Sequence, residues 1–199
     1  LFVSAYDERY GDLVVGTASD DDSVNWMWVD GVPMGAPVVA GPSGPRGGVE
    51  SPGADVGRYT AIAVDASGHV HVAYYGSNPG TLYYALGQAE PDGTYRWSTL
   101  RLDEAGDAGR WASISLDSDG RPGIAYHVRY LNGLSQLRYV FASVALPTQR
   151  ADWTTPFLLQ ARSIEMPGEQ ALETYPDGTG LFTSQARDSE GFPVVAWYD

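Results

Sequence analysis

Two residue types are missing from this chain, and each absence excludes a class of chemistry. None of its 199 residues is a cysteine, so it has no disulfide framework, no thiolate nucleophile and no cysteine-based metal site. Lysine is also absent, and arginine supplies all 12 basic side chains against 25 acidic ones, a net charge of −13. Phosphate backbones and anionic lipid surfaces repel such a chain, so we expect no nucleic-acid partner and no membrane insertion.

Long apolar runs and helical periodicity are scarce as well. No run approaches the ~18 apolar residues of a membrane span, and the best helical candidate, residues 165–173, is interrupted by Pro167 and Gly168. The chain has no signal-peptide pattern and begins at Leu1, which predicts a processed or excised piece. The G-x-S-x-G pattern of a serine nucleophile elbow is also missing.

A repeat occupies the chain instead. Tetrads at residues 57–60, 109–112 and 180–183 each begin with glycine. An aspartate (Asp65, Asp117 or Asp188) follows each of these glycines by eight residues, and a second glycine follows the aspartate by three. Five residues later each copy has an Ala-Tyr or Ala-Trp pair. Three matches in register indicate one supersecondary unit used repeatedly. Each Asp-to-Gly stretch is typical of a hairpin turn in which the aspartate accepts hydrogen bonds from turn amides.

Each unit contains four predicted strands. First strands cover 59–64 and 111–116, where apolar and small residues alternate. Second strands cover 70–75, 123–127 and 193–198, and third strands carry 82–84, 137–139 and 13–15. A fourth strand with a tryptophan is expected over 24–28, 95–99 and 151–155. Four antiparallel strands in about fifty residues, repeated, predict an all-β chain and, as its architecture, a β-propeller of four-stranded blades.

The phase of the repeat predicts about three blade equivalents in a single segment. The blade parts are expected at about 1–33, 57–102, 109–160 and 179–199. Residues 5–6 (Ala-Tyr) match 73–74, and the last match is 196–197, so both ends fall in a second strand. Closed propellers usually have about four to eight blades. Two interpretations follow: the ring is incomplete because the chain is a fragment, or chains associate as a homo-oligomer to complete it.

The Asp-turn-Gly hairpins followed by Ala-Tyr or Ala-Trp resemble the repeats of bacterial secreted β-propellers in the broad sialidase-like, Asp-box (BNR-like) group. The Asp-box pattern is Ser-x-Asp-x-Gly-x-x-Trp, and residues 19–26 fit it with Ser23 in place of the glycine. In that group the box is a folding element, so the match does not mark a catalytic site. The resemblance implies an extracellular or cell-surface protein. An enzyme of this type would need three convergent arginines, an acid and a tyrosine nucleophile.

Candidate ligand-binding residues fall at the irregular end of the units, where loops between second and third strands meet the connections between units. Binding residues concentrate on loops that a rigid scaffold positions. Arg58 and Arg110 occupy one repeat position there, and the third unit has Leu181. The two guanidiniums could hold a carboxylate or phosphate. The alternative is ion pairing with Asp55 or Asp107.

Two loop tyrosines complete this candidate set. Tyr10 and Tyr130 follow Arg9 and Arg129, and either stack on sugar rings or cover the edges of the sheets. Two long connections, residues 34–56 and 161–178, lie at the same end of the units.

Metal binding has weaker support in the sequence. His69 and His71 lie two residues apart on one strand and share a face. The spacing implies no third ligand, so ordinary exposed or half-buried histidines are the alternative. Residues 117–120 and 20–22 resemble parts of calcium loops without the complete spacing, and turn capping is the alternative for the first. We expect no cofactor, with calcium the one candidate ion.

The predicted function is that of a non-catalytic extracellular recognition or scaffold module, which binds a glycan or a protein on its irregular loop face. Two alternatives stay open. One is a sialidase-like glycoside hydrolase or lyase in which Arg58 and Arg110 bind an acidic sugar. The other is a structural module whose partial blades at the two ends pair with neighbouring chains.

Overall fold

The computed structural model describes residues 1–18, 23–31, 53–164 and 178–199. Strands dominate this part of the chain and form four antiparallel sheets in chain order, which confirms the all-β prediction. Sheet 1 contains β1 (Phe2–Asp7), β2 (Asp12–Ala18) and β3 (Val24–Asp30); sheet 2 contains β4 (Val56–Val64), β5 (Val70–Gly76), β6 (Thr81–Ala89) and β7 (Tyr95–Asp103); sheet 3 contains β8 (Asp107–Leu116), β9 (Pro122–Arg129), β10 (Leu134–Phe141) and β11 (Phe157–Ser163); sheet 4 contains β12 (Leu181–Arg187) and β13 (Pro193–Tyr198). Among these residues, no helix is long and apolar enough to cross a membrane.

The repeated aspartates are turn caps, as predicted. Oδ1 of Asp65 accepts the backbone amides of Ser67 and His69 at 2.8 and 2.9 Å. Asp117 and Asp188 each accept two amides at the same offsets, at 2.8–2.9 Å. These bonds satisfy turn donors that have no strand partner. Asp117 therefore caps its turn, as the alternative to the calcium-loop interpretation of residues 117–120 predicts. Residues 20–22 lie outside the described part of the chain.

The repeated glycines explain how one sheet packs on the next. A Cβ added to Gly57 would lie 2.7 Å from the Cα of Leu13 on the preceding sheet. The same clash would occur at 2.8 Å between Gly109 and Leu82, and at 3.0 Å between Gly180 and Leu137. Each glycine also has a positive φ, between 86° and 108°, which disfavours any other residue. Consecutive sheets are thus related by the same close contact three times.

The core lies between consecutive sheets, and buried tyrosines link it to the preceding sheet. One hydrophobic cluster joins sheets 1 and 2, and a second joins sheets 2 and 3. Tyr74 in the first donates to Asp30 at 2.6 Å, and Tyr126 in the second donates to Asp103 at 2.7 Å. Asp30 ends β3 and Asp103 ends β7, which are edge strands of their sheets. Each bond therefore fastens the second strand of one sheet to the outer strand of the sheet before it.

One predicted strand is wrong. Residues 151–155 do not form a strand, because Arg150–Asp152 is a single turn of 3₁₀ helix and the Asp152 carboxylate accepts the amides of Thr148 and Gln149. The fourth strand of sheet 3 is β11 instead. Trp153 nevertheless forms a β-bridge with Ala142, which follows Leu137 by five residues. Trp97 pairs with Gly87, which follows Leu82 by five residues. The two tryptophans therefore occupy equivalent positions, although Trp153 does not lie in a strand.

The match between residues 5–6 and 73–74 is also wrong by one residue. Tyr6 pairs with Leu13, and Tyr75 pairs with Leu82. Because these two leucines receive the repeated glycines, Tyr6 is the equivalent of Tyr75 and not of Tyr74. The chain still begins in the second strand of a unit, beside β2.

Candidate functional site

An aromatic residue follows each repeated glycine by two positions, and its backbone is left-handed. Tyr59, Trp111 and Phe182 have φ values of 50°, 47° and 50°. At each site the pairing of the first strand with the second shifts register, as at a β-bulge. A bulky residue at positive φ is a genuine outlier that costs about 1–2 kcal/mol. The fold maintains this arrangement in all three copies.

The three rings form a continuous row across sheets 2, 3 and 4. The ring centroids of Tyr59 and Trp111 are 5.3 Å apart, and those of Trp111 and Phe182 are also 5.3 Å apart. Tyr75 extends the row at one end, 5.7 Å from Tyr59, and Tyr198 at the other, 6.4 Å from Phe182. We call these five residues the aromatic band. Tyr59, Phe182 and Tyr198 are 37%, 50% and 56% exposed, so the band presents ring surface to solvent.

Arg110 lies beside the band and is paired with an acid. Its guanidinium forms an ion pair with Asp107 at 2.9 Å and lies over the rings of Tyr59 and Tyr75. The Tyr75 hydroxyl donates to the same carboxylate at 2.7 Å. Burial, followed by this hydrogen bond, raises the pKa of Tyr75 to about 12. The phenol therefore stays protonated at neutral pH and acts as a donor.

Arg58 forms the equivalent arrangement one sheet earlier. It pairs with Asp55 at 3.3 Å and donates to the Tyr6 hydroxyl at 3.1 Å, and that hydroxyl donates to Asp55 at 2.9 Å. Burial is the main cause that raises the pKa of Tyr6. Both arginines therefore form the ion pairs with Asp55 and Asp107 that are the alternative to a ligand site. Each guanidinium has its own aspartate, and Leu181 takes the third position.

Arg129 and Tyr130 are brought next to the Arg110 arrangement. A cavity of about 440 Å³ is lined by Arg129, Tyr130, Leu131, Gly106 and Asp107. Asp107 is also the ion-pair partner of Arg110, so this cavity adjoins the Arg110 arrangement. The Tyr130 hydroxyl accepts a hydrogen bond from Arg138 at 2.5 Å, and that guanidinium lies 5.8 Å from the Tyr130 ring centroid. The hydroxyl of Tyr130 is thus already hydrogen-bonded within the protein.

Arg9 and Tyr10 lie apart from this cavity, in the turn between β1 and β2. The Arg9 guanidinium lies 5.2 Å from the centroid of the Tyr10 ring, and the Asp7 carboxylate accepts both backbone amides. The arginine covers one face of the ring, which leaves less surface for a stacked sugar. Most of the connections at 34–56 and 161–178 lies outside the described residues.

Two of the three histidines are buried supports. Nδ1 of His71 lies 2.7 Å from the Tyr84 hydroxyl, and Nε2 of His127 lies 2.9 Å from Ser135 Oγ. Burial lowers the pKa of each to about 4, so both are neutral at pH 7. The ring of His127 packs edge-on against Trp111, with centroids 5.1 Å apart, and so braces the centre of the band.

His69 does not join His71 in a metal pair. Its Nδ1 accepts the Ala89 amide at 3.0 Å, while His71 is directed to Tyr84. Over the part of the chain that the structure covers, no group of three or more His, Asp or Glu side chains is placed to hold a metal ion.

Neither a protein-family model nor a curated protein matches the chain. Sequence reasoning missed the aromatic band, although a signal was present: the third residue of each repeated tetrad is Tyr59, Trp111 or Phe182. An aromatic side chain at one repeat position, two residues after a glycine, marks a place where the strand bulges and turns a ring outward.

Proposed function

We propose that the four sheets are blades, complete or partial, of a β-propeller of the secreted bacterial type, and that the chain is a non-catalytic carbohydrate-recognition module. The aromatic band is its binding surface. The cavity beside Tyr130 adjoins the band through Asp107, at the loops where the sequence predicts the ligand.

The observation that carries this proposal is the threefold left-handed aromatic. Strained residues persist only where the surrounding structure enforces them, and they concentrate at ligand sites. Tyr59, Trp111 and Phe182 lie in a row with neighbouring ring planes tilted by 54–55°, and rigid rings supply large contact area at low entropic cost. The C–H face of a pyranose ring is a suitable partner for such a surface. The carboxylate of Asp107 and the guanidinium of Arg110 border the row and can hydrogen-bond to sugar hydroxyls.

Charge narrows the class of glycan. The chain carries a net charge of −13, and the guanidinium of Arg110, which lies beside the band, is neutralised by Asp107. An anionic sugar would meet repulsion from a chain of this charge. A neutral oligosaccharide fits the band better than an acidic one.

A sialidase-like hydrolase is a second candidate, because the Tyr75 hydroxyl lies 2.7 Å from Asp107 and beside Arg110. The raised pKa of Tyr75, about 12, argues against the hydrolase, since a nucleophilic phenolate needs a lowered pKa or a base that takes the proton. We therefore expect no hydrolysis of chromogenic glycosides, sialosides included. Turnover lost in Tyr75→Phe would establish the hydrolase and refute the non-catalytic proposal.

The test is a screen of the chain on an array of neutral and acidic glycans, followed by calorimetry on the best neutral oligosaccharide. Truncation of a central interface aromatic typically costs at least 2 kcal/mol, so Trp111→Ala should weaken binding roughly thirtyfold. Trp28→Ala is the matched control, because Trp28 is a partly exposed tryptophan on sheet 1, away from the band. A silent array, or equal affinities for Trp111→Ala and wild type, would contradict the proposal.

A further inference from the structure

The hairpin that joins β9 to β10 is longer than the one that joins β5 to β6. Tyr74 and Tyr126 occupy equivalent positions, since each donates to an aspartate of the preceding sheet. Leu82 follows Tyr74 by eight residues, whereas Leu137 follows Tyr126 by eleven. The extra residues lengthen the hairpin of sheet 3 and carry Tyr130 to its turn, where the Tyr130 amide donates to the Leu134 carbonyl at 2.9 Å.

Sheet 3 also has an arginine where sheet 2 has a tyrosine. Tyr83 pairs with Tyr74 across β5 and β6 and stacks on its ring, with centroids 5.3 Å apart. Arg138 pairs with Tyr126 across β9 and β10 in the same way, but its guanidinium binds other partners. The longer hairpin and the arginine are therefore two differences between the sheets at one place.

The partners of Arg138 are two polar side chains and Tyr130. Its guanidinium donates to the Asp103 carboxylate and to the Gln136 side-chain oxygen, both at 2.9 Å, and to the Tyr130 hydroxyl at 2.5 Å. The side chains of Arg138 and Asp103 are only 18% and 7% exposed. A charge removed from water in this way needs hydrogen-bond partners that hold it in place. Arg138 thus fixes the hydroxyl end of Tyr130.

The backbone of Gly106 fixes the ring of Tyr130 at a second place. A Cβ added to Gly106 would lie 3.1 Å from Cδ1 and 3.2 Å from Cε1 of Tyr130, and the φ of Gly106 is 66°. The lack of a side chain therefore lets the ring lie close to the main chain. An aromatic ring that is already held in place loses little entropy when a ligand binds to it.

Tyr130, Gly106 and Asp107 line the cavity of about 440 Å³, a volume typical of small-molecule sites. Asp107 also reaches the aromatic band, because its carboxylate accepts the Tyr75 hydroxyl at 2.7 Å. An ionised carboxylate has about four lone-pair sites, so it can also accept a hydrogen bond from a sugar hydroxyl. The cavity and the band therefore border one carboxylate.

We propose that this cavity is a second sugar subsite, in which Tyr130 contacts the residue next to the one bound on the aromatic band, and that Arg138 is the positioning residue of Tyr130. The inference rests on the carbohydrate-recognition function proposed above and adds a requirement for chain length. A sugar bound at the band brings its neighbour to the cavity, so the second contact forms within the complex and adds affinity. The module selects oligosaccharides over monosaccharides.

The test is calorimetry on the best neutral oligosaccharide from the array and on the methyl glycosides of its constituent sugars. The oligosaccharide should bind the wild type at least about tenfold more tightly than any methyl glycoside, and Tyr130→Ala should remove about that factor. Methyl glycoside binding should be unchanged in Tyr130→Ala. Tyr10→Ala is the matched control, because Tyr10 lies in the turn between β1 and β2, apart from the cavity, and it should change neither affinity.

Arg138→Tyr tests the positioning role. This variant gives sheet 3 the residue that sheet 2 has at the same position, where Tyr83 stacks on Tyr74. It should weaken the oligosaccharide as Tyr130→Ala does and leave methyl glycosides unchanged. In a Tyr130→Ala chain it should have no further effect, since Arg138 acts through Tyr130. An equal loss in both backgrounds would refute the positioning role.

Trp111→Ala separates this inference from the proposed function. It should weaken the oligosaccharide and the methyl glycosides alike. If it does so while Tyr130→Ala binds the oligosaccharide as the wild type does, the second subsite is refuted and the aromatic band is not. A silent array would refute both. Circular dichroism and urea unfolding of each variant verify that a loss of affinity is not a loss of folding.

Discussion

The positive φ of Tyr59 predicts that glycine is tolerated better than alanine at this position, the reverse of the usual order in a strand. Tyr59→Ala and Tyr59→Gly both remove the ring contacts with Tyr75 and Trp111, so the difference between them reports the backbone. A left-handed conformation costs an L-residue about 1–2 kcal/mol, and glycine costs about 0.5–1 kcal/mol more than alanine in chain entropy. The glycine variant should therefore be the more stable by about 1 kcal/mol.

Urea unfolding followed by tryptophan fluorescence measures this difference, provided that the two variants share one m-value. Ala63→Gly is the control in the same strand, because Ala63 does not have a positive φ. There glycine should lower the free energy of unfolding by about 0.5–1 kcal/mol. If Tyr59→Gly is less stable than Tyr59→Ala by a similar amount, the left-handed strain at the aromatic band does not exist.

Two further predictions concern packing and pH. Gly109→Ala should lower the free energy of unfolding by more than about 2 kcal/mol, because the added Cβ would meet Leu82. Gly68 has a similar φ but open space around it, so Gly68→Ala should lower the free energy of unfolding by only about 1 kcal/mol in a urea titration. His71 and His127 have pKa values of about 4 in the folded state and about 6.5 when unfolded. The unfolded state then binds more protons below pH 6.5, so each histidine should remove about 2 kcal/mol of stability between pH 7 and pH 5. His71→Gln should reduce that loss, and an unchanged pH dependence would contradict its burial as a neutral group.

The repeat was sufficient to predict the all-β class and most of the strands. Hairpin turns and alternation are local signals, and the spacing from glycine to aspartate to glycine fixed where the first two strands of each unit lie. The prediction of a strand at 151–155 is wrong because the Asp152 carboxylate accepts the amides of Thr148 and Gln149 and stabilises a turn there. The alternation of apolar and polar residues does not reveal such local hydrogen bonds. The Ala-Tyr pair matches Tyr6 to Tyr74, although Tyr6 precedes Leu13 by seven residues, as Tyr75 precedes Leu82. This sequence separation identifies Tyr75 as the equivalent of Tyr6.

The site was less accessible from the sequence. Arg58 and Arg110 were recognised as equivalent, and their ion pairs with Asp55 and Asp107 were one of the two interpretations. Arg129 and Tyr130 do line a cavity, next to Arg110. The sequence shows an aromatic residue at one repeat position, but not that the rings form a row, because Trp111 lies at a register shift with a left-handed backbone. Side-chain direction at a bulge does not follow from strand periodicity.

Saturation-transfer NMR on a neutral oligosaccharide tests the carbohydrate-recognition proposal most directly, because it reports which sugar protons touch aromatic rings. Irradiation of the aromatic protons should saturate the C–H protons on one face of the bound pyranose. The transfer should be strongly reduced in Trp111→Ala and retained in Trp28→Ala. Transfer that is absent in the wild type, or equally strong in Trp111→Ala, would contradict the assignment of the aromatic band as the binding surface.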